Sequence, residues 1–357
     1  MRTDLGAVKL DLRPYRLRFK RPFGTAHGLR DGTDTVLLRV SYDGFSGFGE
    51  ATTPPYVKES QRSIIGTYKS IDIQDIDAND LKSLTRSLDR LFAGRSAPAA
   101  RAGLQMALMD LMMKRMNVPA STMLSAEGTT QGKAAYTLGI STLSELESKL
   151  SEVTQVPVLK VKLQGTEMDL QVLRWVAART DAALLLDANQ GLSTVAQALQ
   201  AIQAAGGPGR VVGMEQPFHQ DDLEAHAALA RGTAVPVIAD ESVQGPEDLE
   251  KRGWAFGGVN LKLMKCGGLD KAAEMAARAR AMGKLVMLGS MSESSLGCAA
   301  MAALGRQAAW CDLDGPWLIA NDPFTGFTLR DGCYESTGGS GFGVEPVQGL
   351  FENPFGT

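Results

Sequence analysis

The chain has 357 residues, of which 44% are hydrophobic and 22% charged, and its formal net charge is -3. This length allows one large α/β barrel or two domains. The near-neutral charge, the absence of a long apolar run and a chain start without a secretory signal exclude the usual membrane and nucleic-acid binders, so we predict a cytoplasmic protein without either partner.

The first part of the chain is β-rich. Residues 8–19 and 35–50 carry strand patterns, and Asp43-Gly44 fits the turn of a hairpin. Between them, residues 22–32 form a glycine-rich loop that contains His27 and Arg30. We predict that this loop is a mobile lid over a site.

A long helix is predicted over residues 97–116. Pro98 suits its first turn, and Leu104, Leu108 and Leu111 recur at helical spacing. The methionines of this helix are interpreted as core residues rather than as a ligand surface.

From residue 135 the pattern changes to eight short apolar β-runs separated by helical stretches. They centre on residues 136–138, 159–161, 184–186, 212–214, 237–239, 259–261, 286–288 and 310–312, at intervals of 22 to 28 residues. This spacing is typical of a parallel α/β barrel. We predict a (β/α)7β-type TIM barrel over residues 126–318, with a discontinuous α+β capping domain formed by residues 1–125 and 319–357.

Three carboxylates follow adjacent predicted strands. Asp187, Glu215 and Asp240 end strands three, four and five, at the rim where barrel active sites lie. Oxygen ligands of this kind suit a hard divalent cation, so we predict that they bind Mg²⁺. The alternative, that each acid only caps the following helix, is reasonable for one of them but less so for three in succession.

Lysines end two strands that should face each other. Lys160 and Lys162 lie at the end of strand two, and Lys262 at the end of strand six, four positions away in a ring of eight. A planar intermediate between Lys162 and Lys262 would have one amine on each face. We expect Lys160 and the cation to lower the pKa of the catalytic amine. Proton removal from one face and return to the other would give the epimer.

Two more acids, Asp312 and Asp314, alternate at strand eight and should point the same way, without a basic partner in the nearby sequence. We expect them to bind an ammonium group through charge-assisted hydrogen bonds. A substrate with a carboxylate for the cation and an amine at its other end fits a dipeptide with free termini. The alternative is that these acids are turn formers or helix caps.

Together these residues resemble the enolase superfamily, its muconate-lactonising subgroup, and within it the dipeptide epimerases. The likeness lies in Gly47-Phe48-Gly49-Glu50, residues 159–163, Asp187-Ala188-Asn189-Gln190, Met214-Glu215-Gln216-Pro217, Ala239-Asp240-Glu241-Ser242, residues 260–268 and residues 312–315.

The resemblance implies an enolase fold, one Mg²⁺ per active site on the three acids, and acid/base roles for Lys162 and Lys262. It also implies an ammonium site at Asp312 and Asp314, and a racemase- or epimerase-type isomerase that acts on amino acid derivatives. Further substrate contacts are implied for Thr137, Lys160, Met291 and Ser292.

One departure concerns the lid. Similar epimerases of Ala-Glu dipeptides place an arginine there, whereas this chain has His27 and Gly28, with Arg30 slightly beyond. Either the second substrate residue is neutral or apolar, or Arg30 turns back to meet an acidic one. We expect the other histidines, His219 and His226, at the surface.

Other functions remain open. Within the same fold they are cycloisomerisation, o-succinylbenzoate synthesis and racemisation of an N-acylated amino acid, none of which involves a free ammonium group. A non-catalytic binding barrel is a more distant alternative. The four cysteines lack the spacing of a metal site or a disulfide scaffold and are interpreted as reduced thiols, and a homo-oligomer is possible.

Overall fold

The structure is a computed structural model that describes residues 8–25, 28–53, 57–124, 132–152, 156–337 and 339–352. Within these ranges, no helix has the length and apolar character needed to cross a bilayer. The N-terminal elements are β1 (Lys9–Thr25), β2 (Gly28–Tyr42), β3 (Phe45–Thr53), α1 (Gln61–Lys69), α2 (Leu81–Leu91), α3 (Pro98–Met116) and α4 (Ala120–Met123).

The middle of the chain alternates strands with helices. In chain order these are β4 (Lys133–Leu138), α5 (Leu143–Glu152), β5 (Val158–Lys162), α6 (Glu167–Ala177), β6 (Ala183–Asp187), α7 (Val195–Ala204), β7 (Val211–Glu215), α8 (Leu223–Gly232), β8 (Val237–Ala239), α9 (Pro246–Arg252), β9 (Gly258–Leu261), α10 (Leu263–Cys266), α11 (Leu269–Ala281), β10 (Leu285–Gly289), α12 (Ser295–Ala302), β11 (Trp310–Asp312) and α13 (Gly315–Leu318). Short 3₁₀ turns cover Gly253–Ala255 and Gly305–Gln307.

The eight strands β4 to β11 close into one parallel barrel, in which β11 pairs with β4. A helix follows each of the first seven strands, whereas only the four-residue α13 follows β11. The lower layer of the barrel is filled by Ala135, Val158, Leu185, Ile238, Met287 and Trp310. The predicted (β/α)7β barrel is therefore confirmed, and its strand ends meet at one rim.

The N-terminal sheet has the order β1-β2-β3 and is antiparallel. Asp43 and Gly44 both have positive φ angles, as the predicted tight turn requires. The prediction of a loop over residues 22–32 is wrong, because the pairing of β1 and β2 resumes with Phe23 opposite Arg30 and continues to Gly28. Inter-strand hydrogen bonds thus form despite the many glycines.

Helix α3 packs closely on β3, and two glycines of the β3 sequence make this approach possible. A Cβ on Gly47 would lie 2.2 Å from the Ala107 carbonyl oxygen, and one on Gly49 would lie 2.1 Å from that of Gly103. Met106, Met109, Met112 and Met113 are buried, as predicted for core residues, whereas Met116 at the end of the helix is 56% exposed.

The C-terminal strands β12 (Phe324–Thr325), β13 (Phe327–Arg330), β14 (Cys333–Ser336) and β15 (Glu345–Pro346) contact both other parts. The Phe342 N–H donates to the buried Asp110 carboxylate on α3, and the Tyr334 hydroxyl donates to the Ala135 carbonyl in β4. This segment thus joins the N-terminal part to the barrel, while the domain boundaries themselves stay predictions.

Candidate active site

The strand ends open into a cavity of about 680 Å³ between the barrel rim and the N-terminal part. Nine of the predicted site residues line it, namely Arg30, Thr137, Lys160, Lys162, Lys262, Met291, Ser292, Asp312 and Asp314. The three predicted cation ligands Asp187, Glu215 and Asp240 are at most 1% exposed and lie at the ends of β6, β7 and β8. His27 falls outside the described residues.

Lys162 and Lys262 are on opposite sides of the ring and line the same cavity, since β5 and β9 are four strands apart. The Lys162 ammonium donates to Asp187 Oδ2 at 2.6 Å and to Asn189 Oδ1 at 2.8 Å. The Lys262 ammonium donates to Asp240 Oδ2 at 2.7 Å. The two amines are therefore held by different acids, one on each side of the cavity.

Lys160 lies at the floor of the site and bridges three carboxylates. Its Nζ is 2.8 Å from Asp187 Oδ2, 2.7 Å from Glu215 Oε2 and 2.7 Å from Asp312 Oδ2. Burial opposes its charge, but the three carboxylates outweigh burial and raise its pKa well above the ordinary value. Asp312, which has no basic residue near it in sequence, thus gains one in the fold, because only β4 separates β5 from β11 in the closed barrel.

The three buried acids have different electrostatic environments. Burial opposes the ionisation of Asp187, yet Lys160 and Lys162 lower its pKa. Burial likewise opposes the ionisation of Asp240, and Lys262 and Lys265 lower the pKa of that carboxyl. Burial and the neighbouring Asp187 instead raise the pKa of Glu215, whose Oε1 accepts a 2.7 Å hydrogen bond from Asn260 Nδ2.

The donor set fits a hard divalent cation, since three buried carboxylates stand on adjacent strands. As the side chains lie, however, no three His, Cys, Asp or Glu groups within the described ranges converge closely enough to hold an ion. Ammonium groups occupy their oxygens instead, since Lys160 bridges Asp187 and Glu215 and Lys262 contacts Asp240. A bound cation would thus compete with these ammonium groups for the carboxylate oxygens.

Lys265 was missed by the sequence reasoning. It lies on the one-turn helix α10, and its ammonium contacts the Asp240 side chain, the Asp240 carbonyl at 2.9 Å and the Asn260 carbonyl at 3.0 Å. Four acceptors surround this amine, since the Val243 carbonyl is also within 3.4 Å. The available signal was its position three residues after Lys262, which returns it to the same end of the strand.

Asn189 and Glu241 also line the cavity without having been predicted as site residues. Asn189 Nδ2 donates to Glu241 Oε1 at 3.3 Å, and its Oδ1 receives the Lys162 ammonium. Burial raises the pKa of Glu241 to about 7, with the charges of Asp240 and Asp187 adding to the effect. Their sequence signal was that each follows a predicted cation ligand by one or two positions.

Asp312 and Asp314 converge on Thr137 at the end of β4. The Thr137 hydroxyl donates to Asp312 Oδ1 at 3.0 Å, and the Thr137 N–H donates to Asp314 Oδ2 at 2.6 Å. Burial raises the pKa of Asp314 to about 7, and the nearby Asp312 adds to this rise. The two acids and the hydroxyl form a compact polar corner that could accept a cationic group.

The loop after β10 supplies Met291 and Ser292 to the cavity wall. Behind it lies Glu293, which accepts a hydrogen bond from the Met291 N–H. Burial and the charge of Glu50 raise the pKa of Glu293 to about 8. Glu50 itself accepts from the Ser294 N–H at 3.1 Å, so β3 is tied to the loop that shapes the cavity.

The histidines behave differently from the expectation that both lie at the surface. The His219 side chain is 70% exposed, but His226 is fully buried. Its ring centroid is 5.2 Å from that of Phe218 and 4.7 Å from that of Phe256. The prediction for His226 was wrong because helix α8 turns this residue towards the barrel rather than towards solvent.

This arrangement can hold a substrate with charges at both ends. The cluster at β6 to β8 would bind an anionic end through a cation, the corner at β11 would bind a cationic end, and Lys162 and Lys262 would lie on either side of the atoms between them. Amines in these positions can take a proton from one face of a carbon and return a proton to the other.

Two family models match the chain. One, described as mandelate racemase / muconate lactonizing enzyme, N-terminal domain, matches residues 9–125, and the other, described as enolase C-terminal domain-like, matches residues 145–349. They correspond to the N-terminal sheet and helices and to most of the barrel with the C-terminal strands.

Individual proteins are similar over almost the whole chain. The L-Ala-D/L-Glu epimerase of Bacteroides thetaiotaomicron is 32% identical, over 96% of this chain and 89% of its own length. The L-Ala-D/L-amino acid epimerase of a Maribacter species is 33% identical, over 94% of this chain and 98% of its own. The crystal structure of a dipeptide epimerase from Enterococcus faecalis, complexed with Mg and L-Leu-L-Tyr, superposes with a TM-score of 0.84 at 26% identity, over 95% of this chain and 99% of that one.

Proposed function

The chain belongs to the mandelate racemase and muconate lactonizing enzyme family of the enolase superfamily, and we propose that it is an isomerase that epimerises dipeptides at the α-carbon of the C-terminal residue. The observation that carries this proposal is the placement of Lys162 and Lys262 on opposite strands of one cavity. Similar proteins that are named as dipeptide epimerases support it.

We propose that Asp187, Glu215 and Asp240 hold one Mg²⁺, in keeping with the Mg-containing epimerase structure described above. When bound, this ion would offset the negative charge that develops on the substrate carboxylate as the α-proton leaves. Lys160 and Lys265 contact these acids from the floor and the side, and so limit the net negative charge of the cluster.

Lys162 and Lys262 carry out the proton transfer. The amine on one face accepts the α-proton, and the protonated amine on the other face donates a proton to the resulting enolate. Both lysines accordingly serve in turn, one for each direction of the reaction. Asn189 bonds Lys162 and so limits the positions its amine can take.

We propose that Asp312 and Asp314, with Thr137, bind the free amino group of the dipeptide. Because both side chains are buried, an ammonium group in this corner would stabilise their carboxylates by compensating the negative charge. An N-acylated amino acid has no such charge, and this favours dipeptide epimerisation over racemisation of N-acylated substrates.

We propose that Arg30 binds an acidic side chain on the C-terminal residue of the dipeptide, which is one of the two alternatives left open by the sequence. Arg30 lines the cavity from β2, and its guanidinium lies 5.6 Å from the centroid of the Phe19 ring, a contact that restrains the side chain. We expect Arg30→Gln to raise KM for L-Ala-L-Glu while leaving KM for L-Ala-L-Gln nearly unchanged.

The deciding experiment is solvent-deuterium incorporation. The protein is incubated in D₂O with Mg²⁺ and a panel of dipeptides, and mass and configuration of the product are followed by mass spectrometry and chiral chromatography. We expect deuterium at the α-carbon of the C-terminal residue, together with inversion. Deuterium in no dipeptide, or only in the N-terminal residue, would contradict the proposal.

Single lysine variants separate the two faces. Lys162→Ala and Lys262→Ala should each lower epimerisation by roughly 10²–10⁴-fold, the usual contribution of a general acid or base. Each should still exchange the α-proton of one epimer, because the remaining amine can remove and return a proton on its own face. Exchange of the same epimer by both variants would contradict the assignment of opposite faces.

A further inference from the structure

Gln216 follows Glu215 directly and connects the ends of β7 and β8. It is fully buried, and its φ angle of 36° is in the left-handed region that non-glycine residues rarely adopt. Its Oε1 accepts from the Asp240 N–H and from the Ser242 N–H, both at 3.0 Å. The side chain therefore fixes the backbone that carries Asp240 relative to the backbone that carries Glu215.

The NH₂ group of the Gln216 side chain faces hydrogen-bond acceptors. Gln216 Nε2 lies 2.8 Å from Ser242 Oγ, 3.2 Å from the Phe218 carbonyl and 3.1 Å from His226 Nε2. Ser242 Oγ donates its own proton to the Gln220 carbonyl at 2.7 Å, so it accepts from Gln216. A flipped amide would place its oxygen against these acceptors and its NH₂ against two backbone N–H groups.

His226 has one tautomer that satisfies its neighbours. Its Nδ1 is 2.6 Å from the Asp222 carbonyl, which can only accept, so Nδ1 carries the proton. Burial lowers the pKa of His226, which keeps the ring neutral and leaves Nε2 as an acceptor. His226 Nε2 therefore accepts from Gln216 at 3.1 Å, beside a longer contact with the Phe218 N–H at 3.4 Å, and so favours the amide orientation that serves Asp240.

We propose that His226 is a positioning residue for the cation-binding carboxylates, which it aligns by orienting the Gln216 amide. This inference rests on the proposed function, because it takes Glu215 and Asp240 as ligands of Mg²⁺. A residue that orients the surroundings of metal ligands in this way typically changes metal affinity by 10- to 100-fold when it is replaced.

Two variants of His226 separate the hydrogen bond from packing. In His226→Gln the side-chain oxygen can take the place of Nε2 and still accept from Gln216. In His226→Asn the shorter amide can replace only Nδ1 and its bond to Asp222. Both variants remove the ring from its contacts with Phe218 and Phe256, so both should lose similar stability.

The measurement is Mg²⁺ affinity by isothermal titration calorimetry, beside urea unfolding without metal. We expect His226→Asn to weaken Mg²⁺ binding by about 10- to 100-fold and His226→Gln by no more than about threefold. The exposed His219→Asn serves as control and should bind as the wild type does. Should a His226 variant fail to fold, Gln216→Met tests the same link without adding charge beside Glu215, because its side chain can neither accept from the Asp240 N–H nor donate to His226, and we expect the same loss of affinity.

The outcomes distinguish this inference from the proposed function. Wild-type protein that binds no Mg²⁺, or Asp240→Asn that binds it as tightly as the wild type, would contradict the metal site. If the wild type binds and Asp240→Asn does not, then undiminished binding by His226→Asn or Gln216→Met overturns only the positioning role. Equal weakening in His226→Asn and His226→Gln also overturns it, since lost packing then accounts for the effect.

Discussion

Individual charges in the cavity are set by burial and by close partners rather than by residue type. Lys160 stays protonated because three carboxylates surround it, so it serves as a fixed charge instead of a base. Its contact with Asp312 links the proposed ammonium corner to the cation cluster. Asp314, by contrast, binds the Thr137 backbone and has a raised pKa.

The raised pKa of Asp314 predicts a pH-dependent KM. Below about pH 7 this carboxyl is protonated in the free protein and attracts an ammonium group weakly, so KM for a free dipeptide should fall as pH rises from 6 towards about 7.5, before the substrate amine loses its own proton. Asp314→Asn should raise KM by about 10- to 100-fold at pH 8, as for the loss of a hydrogen bond to a charged group. Steady-state kinetics over this pH range check both effects.

The pH slope identifies the group responsible. Asp314→Asn retains an oxygen that can accept from the Thr137 N–H, so its local structure should persist. Its KM should no longer depend on this ionisation, and a slope equal to that of the wild type would rule out Asp314 as the group concerned.

Glu293 predicts a pH effect on stability. Its pKa rises from about 4.3 in the unfolded chain to about 8 in the fold, through burial and the charge of Glu50. A raised carboxyl pKa contributes stability that is fully present below pH 4 and is lost as pH rises to 8. Glu293→Gln should avoid this loss, of the order of a few kcal/mol, and should be more stable than the wild type at pH 9.

Urea unfolding at pH 5, 7 and 9 provides the measurement. The exposed Glu224→Gln is the control and should keep the wild-type dependence on pH. If Glu293→Gln loses stability between pH 5 and 9 as steeply as the wild type, Glu293 is ionised in the fold and the interpretation fails.

At the scale of elements, the packing of α3 against β3 determines where the capping sheet lies above the barrel. The same helix reaches the turn between α10 and α11, where the Arg101 guanidinium donates to the Gly267 carbonyl at 2.6 Å and to Asp270. The segment that follows Lys262 and α10 is thus held by a helix far away in sequence. Close contact between α3 and β3 depends in turn on Gly47 and Gly49.

Two glycine substitutions should therefore have opposite effects. Gly47→Ala would place a Cβ 2.2 Å from the Ala107 carbonyl oxygen and should lower the free energy of unfolding by about 1–3 kcal/mol. Gly66→Ala in α1 meets open space and should raise it by about 0.5–1 kcal/mol, because alanine favours the helix. Urea unfolding of both variants tests this, and a stabilising Gly47→Ala would show that α3 moves away easily.

At the scale of the whole molecule, the cavity lies between two parts of the chain, so neither part alone defines the substrate. Phe23, Arg30 and Val57 line it from the N-terminal side, and the strand ends line it from the barrel. Three buried acids at the barrel centre cost stability unless they are compensated, in part by Lys160, Lys262 and Lys265.

Mg²⁺ should consequently stabilise the entire chain. A ligand that binds only the folded state adds about 2.7 kcal/mol at 100 times its Kd, so Mg²⁺ should raise Tm relative to protein in EDTA. Glu215→Gln should abolish this rise, whereas Glu50→Gln, which changes another buried carboxyl, should retain it. Thermal unfolding measures the effect, and an unchanged Tm of the wild type with Mg²⁺ would contradict the site.

The sequence alone determined the barrel and the residues at its rim. Repeated apolar runs with polar residues at their ends are local patterns, and the closure of eight parallel strands then brings those ends together. The sequence therefore predicted that Lys162 and Lys262 would lie on opposite strands, and it identified Asp187, Glu215 and Asp240 on the strands between them. Glycine content, also a local signal, misled it over residues 22–32, where strand pairing continues.

The tertiary structure alone decided how the charged groups are paired. Lys160 and Asp312 are 152 residues apart in sequence, and only ring closure joins them. The same holds for the burial of His226 and its bond to Gln216, which depend on how helix α8 lies against the barrel. Burial and hydrogen-bond partners arise from contacts distant in sequence, so no local pattern could have revealed them.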